Sequence, residues 1–287
     1  MRVKEFIVIN LLRFSLFLVI AFVIFILYDI VSKGIGIITP TFIFDVPRES
    51  MTKGGIFPAI VGTIYVVLLM ILFSLPLGVF AAIYLVEYAT QGRLTRVIHL
   101  AVSNLAGVPS IVFGLFGLGF FVLFLGPIFG FEASILAASL TLALLVLPTI
   151  IVTTEEALKA IPQEYREASF ALGATKWQTI SKVIFPQALP GIMTGAILAI
   201  GRGAGETAPI LFTGASYFLP RIPTAPTDKF MELSYHIFIM ATQSINPKET
   251  LPIQYGTTLV LLSIVLLLDL TAVLIRAHFR KKMRRRR

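Results

Sequence analysis

One arginine and one glutamate occur inside an otherwise apolar stretch. The string Gly201-Arg202-Gly203-Ala204-Gly205-Glu206-Thr207-Ala208-Pro209 lies within a hydrophobic segment over 191–212. On a helix Arg202 sits ~18 Å along the axis from Pro190. Placing a guanidinium that deep in hydrocarbon costs about 2.5–3.5 kcal/mol or more. An exposed partner four residues away returns only ~0.2–0.5 kcal/mol. The pair therefore faces a protein interior or a wet path. An arginine fork holds an oxyanion by paired hydrogen bonds. Glu206, on the same helical face, holds that arginine in place or accepts a proton or hydrogen bond from a partly protonated oxyanion. Its negative charge also works against permanent anion trapping. A buried structural ion pair between subunits is the competing reading. Gly195, Ala199 and Pro209 lie on or beside this face, while Gly191 and Gly201 widen the surface for close packing. Pro209 cannot donate to the Gly205 carbonyl, so a bend is expected there.

Other chemistry is poorly supplied. There is no cysteine, and His99, His236 and His278 are far apart in sequence, so thiolate catalysis and a histidine metal cluster lack support. No Gly-Lys pair occurs, so there is no phosphate-binding loop of the ATPase kind. No nucleophile–base constellation is visible, and the expectation is a non-enzymatic chain without a cofactor of its own. Gly114, Gly117 and Gly119 sit inside an apolar run and read as a helix-packing surface. Asp29 and Asp269 fall near span ends and receive no role. His236 reads as a solvated or packed loop residue.

The elements that must position the pair follow from composition. The 287 residues are 57% hydrophobic and 14% charged, with mean hydropathy +0.91. One globule of this size cannot bury so much apolar surface, so the chain reads as an all-α integral membrane protein. Six apolar stretches, at 14–31, 57–86, 98–128, 133–152, 191–212 and 257–275, each reach about the 20 residues a helix needs to cross. The second and third are long, with Pro76 and Pro109 as kink points. The first is read as a retained span rather than a signal peptide. Of the 24 Lys and Arg, 17 fall on the side of the termini, six on the other, and Arg202 lies within a span. By the positive-inside rule both termini are cytoplasmic. The basic tail over 276–287 anchors this topology and is suited to anionic lipid headgroups. Because the net charge of +9 follows topology and forms no single folded face, nucleic acid is not an expected partner.

The loop over 153–190 is helix-forming and of mixed charge. Pro162 favours a break, Gly173 suits a left-handed cap, and Thr175-Lys-Trp-Gln178 reads as a capping box. A second short helix closed by Pro186 and Pro190 is expected, with Leu172, Trp177, Ile180 and Ile184 as one apolar face. Glu167-Ala168-Ser169, then Gly173, then Val183, Phe185 and Pro186 resemble the loop of bacterial ABC importer permeases. That pattern is Glu-Ala-Ala, three residues, Gly, nine residues, Ile-x-Leu-Pro; Ser169, Val183 and Phe185 are mild departures. The resemblance implies a coupling helix, carried by Glu167, Ala168, Ser169, Gly173 and Pro186, that docks on a separate ATP-hydrolysing subunit.

The Gly201–Pro209 string and Gly107-Val-Pro-Ser-Ile-Val-Phe-Gly-Leu-Phe-Gly117 further resemble the phosphate importer permeases of PstA type, over roughly 57–276. That likeness implies a single permease domain of six helices, with Arg202 and Glu206 in the phosphate path. It also implies a second, PstC-type permease, two copies of an ATP-binding subunit that carry ATP and Mg, and an extracytoplasmic phosphate-binding protein. The outer loop over 215–255 is expected to hold an amphipathic helix at the surface. With 45–53 it is a docking place for the binding protein, and Arg221, Asp228 and Glu232 are the charges to test. The rivals are an ABC permease for sulfate or molybdate, an ion-gradient transporter using Glu206 as proton carrier, and a structural or signalling subunit.

Overall fold

A computed structural model describes residues 3–90, 92–244 and 246–284. Arg2 and residues 285–287 of the basic tail lie outside the described residues. Thirteen α-helices are described: α1 Val3–Gly34, α2 Pro40–Phe44, α3 Phe57–Ile83, α4 Arg93–Ala106, α5 Ser110–Gly117, α6 Gly126–Phe129, α7 Ile135–Lys159, α8 Glu164–Ala171, α9 Lys176–Thr179, α10 Phe185–Gly203, α11 Ala208–Leu211, α12 Leu233–Gln243 and α13 Pro247–Arg284. A short hairpin pairs β1 Pro47–Arg48 with β2 Lys53–Gly54. Wider π-type turns over Tyr84–Tyr88, Leu118–Leu125 and Ile180–Ile184 extend α3, join α5 to α6 and join α9 to α10.

Among the described residues six continuous helical runs are long and apolar enough to cross a membrane: Glu5–Ile37, Phe57–Tyr88, Ser110–Phe129, Ile135–Lys159, Lys176–Gly203 and Pro247–His278. The fourth, α7, is the hub, with 67% of its most apolar window buried against 0% for α1. It packs on α3, α10, α5 and α4, while α13 joins α10 to α1 and α12. Ser134 caps α7 by accepting from the Ala137 N–H, and the helix carries Pro148 inside it.

Several boundaries differ from the sequence expectation, each for a local reason. The third segment is two helices: α4 is amphipathic and ends at Gly107, and the apolar span begins only at Ser110. Pro109 lacks an N–H and drives Val108 out of the helical region, so the kink is a full break. Pro76 is carried within α3. Conversely, Pro186 and Pro190 do not close the loop: Lys176–Gly203 is one continuous run, with Pro186 at the second position of α10, one residue beyond a π-type turn. A π-type turn re-registers the carbonyls around a missing donor, which lets the run continue. The outer-loop helix α12 is not a surface amphipath. Leu233, Ser234, Tyr235, His236, Ile239 and Met240 are buried against α3 and α13. Burial there pulls the His236 imidazole down to about 4, leaving it neutral.

Candidate translocation site and coupling loop

The fifth run ends at the expected chemistry. Helix α10 stops at Gly203, the chain makes two turn bonds (Gly205 N–H to the Arg202 carbonyl and Glu206 N–H to the Gly203 carbonyl, both 3.3 Å), and α11 starts at Ala208. Glycines at 201, 203 and 205 hold the helix weakly, and Pro209 withholds the donor that Gly205 would need. The expected bend is therefore an interruption, with Arg202 on the last helical turn and Glu206 in the gap. The two remain together: Arg202 Nε lies 3.6 Å from Glu206 Oε1. That separation exceeds a hydrogen bond. Among the described residues no protein acceptor engages the Arg202 guanidinium more closely. The side chains are 35% and 18% exposed, so the fork is open to a neighbour outside this chain.

Close packing fixes the back of this site. Gly203 packs directly on the Met70 thioether of α3, which would have to move aside for any side chain there. Gly114 lies against the Ala208 carbonyl and Pro209, and Gly117 against Thr141 and Thr213, which seats the third span on the gap. Gly119 has no such neighbour, so the expected three-glycine surface consists of two. Gly195, Ala199 and Pro209 are buried, whereas the side chains of Arg202 and Glu206 remain partly open. Asp269 is not at a span end. It lies inside the sixth run with Oδ1 buried and unpartnered among the described residues, and Oδ2 faces Gly201.

The gap is also held from the side of α12. Thr207 Oγ1 donates to Ser234 Oγ at 3.0 Å, and Ser234 Oγ lies 3.1 Å from the Glu206 carbonyl and 2.6 Å from Glu232 Oε2. Glu232 is 2% exposed, which removes it from the expected docking surface. Desolvation raises its carboxyl above the usual range, against the hydrogen bonds it accepts. Asp228 stays lowered, because the N–H groups of Thr224 and Ala225 and the Thr224 hydroxyl donate to it.

The loop forms a separate constellation some ~24 Å along the helix from Arg202, counting from Pro186. Helix α8 ends in a left-handed Gly173 (φ +80°), and Thr175 with Gln178 forms the reciprocal capping box opening α9. Ser169, the departure from the family alanine, bonds Thr179 at 2.8 Å and ties the two helices together. Glu167, Ala168 and Gly173 are exposed, and Pro186 is half-buried. The expected single apolar face divides: Ile180 and Ile184 are buried, whereas Leu172 (89% exposed), Trp177 and Phe170 point outward.

Sequence reasoning missed the residue that anchors this loop. Arg166 donates to Glu87 at the end of the second run (Nη2–Oε1 2.7 Å, Nε–Oε1 3.2 Å) and to the carbonyls of Leu158 and Ile161. Both side chains are nearly buried. An acidic residue directly after the second apolar stretch was the available signal. Among the described residues no group of three or more histidines and carboxylates could hold a metal.

Residues 74–285 match the family described as binding-protein-dependent transport system inner membrane component. The chain belongs to this family of transport permeases. Phosphate transport system permease protein PstA 1 of Mycobacterium tuberculosis is 38% identical over 78% of this permease and 71% of its own length. PstA of Yersinia pestis is 40% identical over 67% and 64%. The probable ABC transporter permease protein YqgI of Bacillus subtilis is 33% identical over 85% of each. Among solved structures, a bacterial alginate ABC importer aligns at TM-score 0.64 over 97% of the permease and 99% of that chain, at 14% identity. The MetNI methionine transporter aligns at 0.58 over 78% and 94%, at 21% identity. These two establish the fold alone, a mostly helical one shared with the membrane chains of those importers.

Proposed function

We propose that this permease is the PstA-type membrane subunit of an ATP-driven inorganic phosphate importer. The observation that carries the reading is Arg202, whose guanidinium stands at the helix gap with no protein acceptor among the described residues within hydrogen-bond distance. The likeness to PstA proteins supports phosphate over sulfate or molybdate as the oxyanion. Phosphate takes the arginine fork by charge-assisted hydrogen bonds, whose strength comes from the low dielectric around the site. Glu206 competes for the same fork, so the anion is released when the path reopens. The step is electrostatic, and no covalent bond is made.

Both termini lie in the cytoplasm by the basic-residue bias. The α8–α9 loop then faces a partner that hydrolyses ATP with Mg, present in two copies. Glu167, Ala168, Ser169, Gly173 and Pro186 shape the docking knob, a form of helix-in-groove recognition. A PstC-type permease completes the path, and an extracytoplasmic binding protein delivers phosphate.

Uptake of labelled phosphate, sulfate and molybdate is the test, in cells lacking their own permease and supplied with wild type, Arg202→Ala or Gly173→Asp, with expression and insertion checked. The expected result is phosphate uptake with wild type and its loss in both variants. Uptake that never depends on this chain refutes the substrate reading. Uptake that survives ATP depletion but collapses with an uncoupler refutes the ATP-driven one.

A further inference from the structure

We propose that Glu232 is a positioning residue for the Arg202–Glu206 pair, acting through Ser234 on the backbone and hydroxyl of the gap at Glu206 and Thr207. This rests on the reading of that pair as the path. Glu232 Oε2 meets Ser234 Oγ at 2.6 Å and accepts from the Tyr235 N–H at 2.8 Å, while Oε1 lies 3.3 Å from Thr63 Oγ1 on α3. A simple helix cap requires only the Tyr235 bond. The rest of the network ties α3, α12 and the gap together at one buried point.

Proton counting shows how it works. Ser234 has a single hydroxyl hydrogen, yet its oxygen lies within bonding distance of both Glu232 Oε2 and the Glu206 carbonyl. With Glu232 neutral, its carboxyl donates to Ser234 Oγ, and the serine hydrogen is free for the Glu206 carbonyl. Thr207 Oγ1 donates to the remaining lone pair of Ser234 Oγ. Glu232 Oε2, Ser234 Oγ and the Glu206 carbonyl then each have a partner, while Thr63 gives its one hydrogen to the Ala59 carbonyl at 2.8 Å or to Glu232 Oε1 at 3.3 Å. Burial favours this neutral state. The restraint acts on the Glu206 carbonyl and leaves its carboxylate to face Arg202.

The test uses the absence of cysteine from the chain. Gly205→Cys places one thiol in the gap, where an added Cβ meets nothing closer than 3.9 Å. The rate of maleimide labelling is measured in membranes holding the full chain. The reporter is compared alone and combined with Ser234→Ala, Glu232→Ala, Glu232→Gln or, as a control at the far end of α12, Thr242→Ala. Ser234→Ala and Glu232→Ala are expected to raise the rate about 2- to 10-fold, the effect of one lost hydrogen bond. Thr242→Ala is expected to leave it unchanged, and Glu232→Gln to fall between the reporter and Glu232→Ala, because its amide can donate to Ser234 or accept from the Tyr235 N–H at that position but cannot do both. A Ser234→Ala rate equal to that of the reporter alone overturns the proposal, as does a Glu232→Ala rate equal to it. Ser234→Ala keeps the α12 cap, so its result stands if Glu232→Ala fails to fold. Labelling needs no phosphate, which separates this outcome from the substrate reading. Phosphate uptake lost in Arg202→Ala but normal in Ser234→Ala also overturns the positioning role while leaving the phosphate reading intact.

Discussion

A guanidinium near the end of a membrane helix needs a counter-charge, and Arg202 has one at a distance that holds without saturating it. The 3.6 Å gap between Nε and Glu206 Oε1 leaves the planar fork available, and it is the fork, beyond the charge, that suits a tetrahedral oxyanion. Arg202→Lys retains the charge and loses the paired geometry. We expect initial phosphate uptake at sub-saturating concentration to fall about 10- to 100-fold, the equivalent of one charge-assisted hydrogen bond. Glu206→Gln removes the competitor and retains the shape. Both KM and maximal rate for uptake are expected to fall, because the anion binds more tightly and leaves more slowly. A raised KM would show instead that Glu206 helps to bind the anion. The residue types were legible because an Arg and a Glu stand out in an apolar run. That they sit astride a helix end was not, since a four-residue spacing suggests an unbroken face.

At the scale of the elements, the α8–α9 loop can transmit motion only if it is rigid and attached. Rigidity comes from the Gly173 cap, the Thr175–Gln178 box and the Ser169–Thr179 bond. Attachment comes from Arg166, which joins the loop to Glu87 and to the carbonyls that end α7. Removing one partner of a nearly buried pair costs about 3–5 kcal/mol, because the other charge is stranded. Arg166→Ala and Glu87→Ala should each expose the loop to protease in membranes and abolish uptake. The exchange Arg166→Glu with Glu87→Arg should recover part of both; a swap as damaged as the single variants would assign the effect to the carbonyl contacts of Arg166. Capping and helix-stop signals are local, and the sequence carried them. The Arg166–Glu87 contact joins residues 79 positions apart, and no local spacing announces it.

For the whole molecule, the loop presents Leu172, Trp177 and Phe170 to the outside, a surface of the kind that anchors a protein partner. Leu172→Ala and Trp177→Ala should each weaken capture of the proposed ATP-binding subunit from detergent extracts, by ~2 kcal/mol or roughly 30-fold, while the six helices still insert. Unchanged capture would move the docking surface elsewhere on the loop.

The six spans, the loop and its caps, and the charged pair were all determined by the sequence. A membrane makes each helix satisfy its own backbone and each span declare itself by hydropathy. Only the tertiary structure decided the rest. It split the third segment at Pro109 and carried the fifth through Pro186 and Pro190. It also buried Glu232 and His236 in a helix that read as a surface element, and turned Asp269 toward Gly201. Each outcome depends on which faces of distant helices meet. In a chain with so many apolar faces, hydrophobic patterning does not choose among them, and close packing at positions such as Gly203 on Met70 does.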